Sequence, residues 1–426
     1  MELKIEKLVY GGEGMGHADG TAVFVPFVLP GETVAVRLAE QRKKFARGRV
    51  EKFIGTSPER VPAPCPYFTR CGGCHYQHLP YEAQLQYKKE ILVETLSRLG
   101  GIRWTGAVGL HASPPFGYRN RAQWKARSMG GGASAIGYLE AGTQRLCPVT
   151  ECPILSPRLE ATLACLGKLL AAREIPATLL EAEAFADDRD ERLLLSASFA
   201  NLAGATAKTL GEGLRKALPA VESLLLHDAS RDRFELFGPG YLRYAAAGHA
   251  YRVGHLSFFQ INRFLVDELA RRATAGVAGK LALDLYAGVG LFSLLLAENF
   301  ERVVAAEANP AATRDLEENI HTAGLGGRIE PRTEEAEDFL ARWSGQPELV
   351  ILDPPRAGLT EAVRARLVAL GAAEIRYVSC DPATLARDLQ GFSSAYELAE
   401  IEFFDLFPQS FHLETFVRLR RISGGA

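Results

Sequence analysis

No uncharged apolar run in this sequence is long enough to span a membrane. The opening residues, Met1-Glu2-Leu3-Lys4-Ile5-Glu6, lack the apolar stretch of a secretory signal. The expectation is a soluble, cytoplasmic chain with no membrane partner. An excess of one sign of charge is missing too. Against 49 Lys and Arg stand 51 Asp and Glu, a formal net charge of −2. That argues against a uniformly basic nucleic-acid binder but leaves room for local basic patches. Cysteine is scarce, seven in 426 residues, yet five crowd into two short segments: Cys65, Cys71 and Cys74, then Cys147 and Cys152. Without a secretory signal, that clustering reads as metal or cluster ligation rather than disulfides. Hydrophobic residues make up 47% of the chain, enough at this length for a sizeable core and roughly two to three domains.

Three regions follow one another. Residues 1–55 alternate apolar and polar positions in short runs broken by Gly11-Gly12-Glu13-Gly14 and Pro30-Gly31, the pattern of a small OB-like β-barrel. Its stretch Arg42-Lys43-Lys44-Phe45-Ala46-Arg47-Gly48-Arg49 is basic without an acid. It reads either as a loop laid against a phosphate backbone or as a solvated hairpin tip. Residues 56–252 carry the cysteine segments in a mixed α/β pattern. Tyr81–Leu99 and Arg158–Arg173 read as amphipathic helices, with Cys165 as core in the second. The acidic run Glu181–Glu191 reads as a solvated connection. Phe116-Gly117-Tyr118-Arg119-Asn120-Arg121-Ala122-Gln123-Trp124-Lys125 interleaves aromatics with cations. It fits a base-stacking surface or equally a strand with one charged face. From 253 to 426 strands alternate with helices: 281–286, 302–306, 349–352, 375–379 and 397–404, with Thr415–Arg421 as an edge strand. That is a doubly wound, Rossmann-like parallel sheet.

Chemistry collects at the ends of those strands. Asp284-Leu285-Tyr286-Ala287-Gly288-Val289-Gly290 is a strand-to-helix glycine loop lacking the third glycine of a dinucleotide fingerprint. Glu307 closes the next strand, where a carboxylate accepts hydrogen bonds from ribose hydroxyls. With Asp353-Pro354-Pro355 further on, the order favours S-adenosylmethionine and a methyltransferase over a dehydrogenase. Arg356 stands where amine-methylating enzymes of this fold usually carry a stacking aromatic, which argues against an exocyclic amine target. Val378-Ser379-Cys380-Asp381-Pro382 ends another strand. A thiolate is needed where the target is carbon 5 of a pyrimidine, a carbon too weakly nucleophilic to take a methyl group unaided. Thiolate addition at carbon 6 activates it, and a base then removes the carbon 5 proton. Glu414 is preferred to His412 as that base.

These residues resemble the uracil-5 RNA methyltransferase family, in particular its iron–sulfur branch acting on 23S ribosomal RNA, over nearly the whole chain. The carriers are Cys65, Cys71-Gly72-Gly73-Cys74-His75-Tyr76-Gln77-His78 and Cys152-Pro153-Ile154-Leu155, then Phe258-Phe259-Gln260-Ile261-Asn262, the Asp284 loop, Asp353-Pro354-Pro355-Arg356-Ala357-Gly358 and Ser379-Cys380-Asp381-Pro382. The resemblance implies a TRAM domain at 1–55 and a [4Fe-4S] cluster on Cys65, Cys71, Cys74 and Cys152. It implies S-adenosylmethionine contacts from Gln260, Tyr286, Glu307 and Asp353, with Cys380 as nucleophile and Glu414 as proton acceptor. It also implies that the helix Tyr81–Leu99 packs on the catalytic domain, and that a monomer acts on RNA. The alternatives are transfer RNA, at its T-loop, in place of 23S ribosomal RNA, or a cluster-containing RNA-binding factor without turnover. Spacing alone leaves zinc open beside the cluster, and Cys147 open beside Cys152.

Overall fold

The structure, a computed structural model, describes residues 1–130 and 133–422; residues 131, 132 and 423–426 of the regions above lie outside the described residues. The first sheet is six-stranded, ordered Glu2–Lys4, Thr33–Gln41, Phe45–Gly55, Thr21–Pro26, Glu13–Ala18, Lys7–Leu8. It closes on a small core of Leu3, Ile5, Val23, Val25, Val28, Val34, Val36 and Ala46. The alternation of its strands puts those side chains on one face.

A second, seven-stranded sheet runs Leu146–Pro148, Ala133–Leu139, Arg121–Gly130, Leu179–Ala186, Leu193–Phe199, Val221–Asp228, Arg233–Phe237. It corrects the first half of Glu181–Glu191, read as a connection; residues 187–191 are indeed the turn into Leu193–Phe199. Leu179–Ala186 is an interior strand, antiparallel to Arg121–Gly130 and Leu193–Phe199. Its acids are cross-strand partners: Glu181 pairs with Lys125 and Glu183 with Arg121. Burial counts against the base-stacking reading of Phe116–Lys125. Tyr118 and Trp124 are 1% and 0% exposed, so neither ring is available to stack a base.

The third sheet has eight strands, ordered Ile329–Thr333, Phe300–Glu307, Gly279–Leu285, Leu349–Leu352, Glu374–Ser379, Glu414–Arg421, Tyr396–Phe404, Val108–His111. The first five are parallel. The strand expected at the edge, Glu414–Arg421, is instead inserted antiparallel between Glu374–Ser379 and Tyr396–Phe404. Its Thr415, Phe416, Val417 and Leu419 are buried, so both faces are covered, as an interior strand requires. The edge is taken by Val108–His111, a strand from far earlier in the chain.

Three helices begin with the same device, a short polar cap followed by proline: Ser156-Pro157, Asn309-Pro310 and Asp381-Pro382. The cap accepts a free N–H of the first turn, and proline there has no N–H to leave unpaired. The helix Tyr81–Gly100 stops at Gly101, whose φ of 66° a side chain would strain. This helix lies against Pro382–Phe392 and buries Leu85, Ile91, Leu92 and Leu96 in the core under the third sheet. Each such side chain contributes roughly 1.5–3 kcal/mol. No helix among the described residues is long and apolar enough to cross a membrane.

Candidate active site

Three acids stand at the carboxyl ends of neighbouring parallel strands, the place where open α/β sheets bind ligands. Asp284 ends Gly279–Leu285, Glu307 ends Phe300–Glu307, and Asp353 follows Leu349–Leu352. Asp284 is buried, and one carboxylate oxygen accepts from Ser293 Oγ while the other has no partner. Burial, reinforced by the charges of Asp353 and Glu307, pushes its carboxyl up to about 7. Glu307 accepts from the backbone N–H of Gly288 at 2.8 Å and of Asn309 at 2.7 Å. Asp353 accepts from Gln260 Nε2 at 3.1 Å, and burial raises it to about 7. Between them the loop turns sharply: Tyr286 has φ 64° and Gly288 φ 56°, and nothing lies within 4 Å of where a Gly288 Cβ would be. An orphaned buried carboxylate oxygen, open space over the loop and converging acids suit a cationic ligand with hydroxyl groups, such as S-adenosylmethionine.

Cys380 and Glu414 meet through strand register. Ser379 pairs with Thr415 across the antiparallel ladder, so the next positions outward, 380 and 414, face each other at the strand ends. Glu414 is 4% exposed and Cys380 is half-buried. Burial, then the charges of Glu414 and Asp353, push the Cys380 thiol up to about 12, against the pull of Arg356. Burial and Asp353 likewise hold Glu414 well above the usual carboxylate range. His412 goes the other way: burial and the neighbouring Arg356 guanidinium hold its imidazole down, to about 3. Arg356 donates to its ring at 3.2 Å. Burial thus lowers the proton affinity of the His412 imidazole and raises that of the Glu414 carboxyl.

The loop 405–413 that delivers Glu414 is held from outside the third sheet. Lys88 and Asp405 form an ion pair at 2.7 Å, each side chain 0% exposed. Lys88 Nζ also donates to the Phe407 carbonyl at 2.9 Å. Gln84 donates to Gln409 Oε1 and accepts from the Gln409 backbone N–H. Asn262 Nδ2 donates to the Leu406 carbonyl. The sequence reading missed Gln84 and Lys88. Their signal is two polar residues at i and i+4 on the otherwise apolar face of the helix Tyr81–Gly100.

The cysteine segments come together around a cavity of about 290 Å³. Cys65, Cys71, Cys74 and Cys152 all line it, with Tyr118, Gln77 and Tyr138. Ser410 and His412, of the loop before Glu414, reach the same cavity. Cys147 is fully buried in a strand and is not among these walls. All seven cysteines are free thiols. Burial first, then neighbouring thiols, pushes Cys71 and Cys74 up to about 12 and Cys152 up to about 11. Buried thiols in such a group ionise readily only onto a metal. Among the described residues no group of three or more His, Cys, Asp or Glu side chains is placed to hold a metal ion. The four thiols on the cavity wall are donors that suit either zinc or an iron–sulfur cluster.

Comparison with known proteins matches residues 340–422 to a tRNA (uracil-5-)-methyltransferase model, residues 1–50 to a TRAM domain, and residues 249–361 to a TRM5/TYW2 methyltransferase domain. The chain is 33% identical to the 23S rRNA (uracil(1939)-C(5))-methyltransferase of Alkalilimnicola ehrlichii, over 99% of this chain and 96% of that one. The chain belongs to the uracil-5 RNA methyltransferase family. An RNA methyltransferase of Aquifex aeolicus is also 33% identical, over 98% of both chains. Among solved structures, the Pyrococcus abyssi tRNA (uracil-54, C5)-methyltransferase with S-adenosyl-L-homocysteine superposes with a TM-score of 0.76 at 26% identity. That match covers 98% of this chain and 100% of the other. The protein is thus an S-adenosylmethionine-dependent RNA uracil-5 methyltransferase with an N-terminal TRAM domain. A tRNA enzyme aligned over its full length means the barrel and central region do not by themselves separate ribosomal from transfer RNA substrates.

Proposed function

We propose that this enzyme forms 5-methyluridine in 23S ribosomal RNA, with Cys380 as nucleophile and Glu414 as proton acceptor. The observation that carries the reading is the antiparallel register facing 380 with 414, beside the acids of the donor site. Gln260, Tyr286, Glu307 and Asp353 would hold S-adenosylmethionine. When bound, it supplies an electrophilic methyl group on a sulfonium. The target uridine leaves its stack, because a thiolate must approach the ring face. Cys380 loses its proton to water, a step favoured by the Arg356 guanidinium, and its sulfur bonds to carbon 6 as the 5,6 double bond opens. Carbon 5 would then take the methyl group as the methyl's bond to the sulfonium sulfur breaks, leaving that sulfur as a neutral thioether. Glu414 removes the carbon 5 proton, the double bond reforms, and the sulfur–carbon bond breaks, returning Cys380.

Cys65, Cys71, Cys74 and Cys152 would hold a [4Fe-4S] cluster with a structural role, supported by the shared cavity and its donor set. At the barrel's hairpin tip, Arg42, Lys43 and Lys44 are exposed and suit a phosphate backbone. Lys125 and Arg121, paired on their strands with Glu181 and Glu183, are less suited to RNA. The match to a tRNA enzyme favours transfer RNA as the second reading. Mapping 5-methyluridine in ribosomal and transfer RNA from a strain lacking this protein separates the two. Wild type should restore the base in 23S ribosomal RNA. Cys380→Ala should restore none, and Glu414→Gln should leave a protein–RNA adduct that survives denaturation. Restoration only in transfer RNA refutes the substrate, and full activity of Cys380→Ala refutes the mechanism.

A further inference from the structure

The turn between barrel strands Lys7–Leu8 and Glu13–Ala18 reaches the nucleophile. Tyr10 Oη donates to Asp381 Oδ2 at 2.9 Å, across 371 residues of sequence. Asp381 immediately follows Cys380. Its other oxygen, Oδ1, accepts from the backbone N–H of Ala383 at 2.9 Å and Thr384 at 3.0 Å, capping the helix Pro382–Phe392. Ser379 Oγ donates to the Asp381 carbonyl at 3.2 Å. The backbone on both sides of Cys380 is therefore tied to one carboxylate residue, and the barrel holds that carboxylate's free oxygen.

The same barrel turn also touches the loop that carries the base. The Tyr10 ring meets Phe411 edge-on, centroids 5.5 Å apart. His75, beside the cavity thiol Cys74, meets the same Phe411 at 4.7 Å. Gly12 lies so close to His75 that a Cβ there would come within 2.8 Å of its ring. The backbone N–H groups of His75 and Tyr76 both donate to the Gln409 carbonyl. The barrel cannot sit loosely here. Leu8 and Leu29 are buried in the core beneath the catalytic sheet, and Lys7 pairs with Glu94 on the helix Tyr81–Gly100.

We propose that Tyr10 is a positioning residue for methyl transfer: by donating to Asp381 it fixes the turn that aims Cys380, so that the TRAM barrel completes the nucleophile's geometry as well as binding RNA. This rests on Cys380 being the nucleophile. The phenol acts through Asp381, the neighbour of the nucleophile. Tyr10→Phe keeps the ring on Phe411 and removes only the hydrogen bond, so folding is preserved.

The test uses the full chain, S-adenosylmethionine and 23S ribosomal RNA transcribed with 5-fluorouridine in place of uridine. Fluorine at carbon 5 cannot leave as a proton, so the Cys380–carbon 6 bond persists and its formation can be timed. Tyr10→Phe should slow adduct formation about tenfold at saturating RNA, the scale of one lost hydrogen bond to a charged group. RNA affinity and donor affinity should stay as in wild type, and the melting temperature should fall by only a few degrees, roughly the cost of one hydrogen bond. Tyr10→Ala, which also removes the ring from Phe411, should be slower still. An adduct rate for Tyr10→Phe equal to wild type overturns the proposal. So does a loss wholly accounted for by weaker RNA binding, which would make Tyr10 an RNA contact. If wild type forms no adduct, or Cys380→Ala forms one, the nucleophile assignment itself has failed, and that result is separate from any effect at Tyr10.

Discussion

Replacing Lys88 by methionine should damage both the stability and the chemistry of this enzyme, though Lys88 touches no substrate. Lys88 and Asp405 are each 0% exposed and 2.7 Å apart, and burial alone drives the Lys88 ammonium towards its neutral form. Removing one partner of such a pair strands the other charge in the interior, which costs about 3–5 kcal/mol. For a chain of this size with a urea slope of roughly 3 kcal/mol/M, the unfolding midpoint should fall by about 1–1.7 M. Lys88→Met with Asp405→Asn removes the stranded charge and should recover at least half of that loss. Lys88 also holds the Phe407 carbonyl, at the start of the loop that ends in Glu414. Both variants should therefore transfer methyl groups more slowly than wild type at temperatures where they are fully folded. Urea unfolding of the full chain and single-turnover methylation measure the two effects. A single mutant within about 0.5 kcal/mol of wild type would show that the pair is not holding the loop.

Two further outcomes follow from the thiols. Because burial and two carboxylates raise Cys380 to about 12, its thiolate fraction should climb about tenfold per pH unit below that value. Iodoacetamide labelling of the Cys380 peptide should rise accordingly from pH 7 to 9, and a plateau in that range would contradict a raised thiol. Protein purified without oxygen should carry iron and sulfide in equal amounts. Cys74→Ser should lose both, while Cys147→Ser, outside the cavity wall, should keep them; stoichiometric zinc instead of iron would sink the cluster.

What the sequence displayed was chemistry carried by contiguous residues. Ser379-Cys380-Asp381-Pro382 shows a strand end, the proposed nucleophile and a helix cap within four positions, and Asp353-Pro354-Pro355-Arg356 is as compact. The cysteine segment was readable for the same reason. Contacts whose partners lie hundreds of positions away were not. Gln84 meets Gln409 across 325 residues, Lys88 meets Asp405 across 317, and Tyr10 meets Asp381 across 371. In one dimension each looks like an ordinary surface residue. The first half of Glu181–Glu191 misled because its acids were counted with those of the turn at 187–191, while the alternation of buried Ala182 and Ala184 with paired Glu181 and Glu183 marks a strand. Arg418, Arg420 and Arg421 gave the last strand the charged look of an edge. In the fold Arg418 instead meets Glu400 on the next strand at 2.9 Å. These misses share a location. The long-range contacts at Tyr10, His75, Gln84 and Lys88 all end on two short segments, 380–384 and 405–411, that flank the reacting groups. A thiol and a carboxyl raised so far from their ordinary proton affinities work only at the right separation. The barrel, the cysteine segment and the helix Tyr81–Gly100 each hold one side of that separation, so loosening any of them should cost rate before it costs binding.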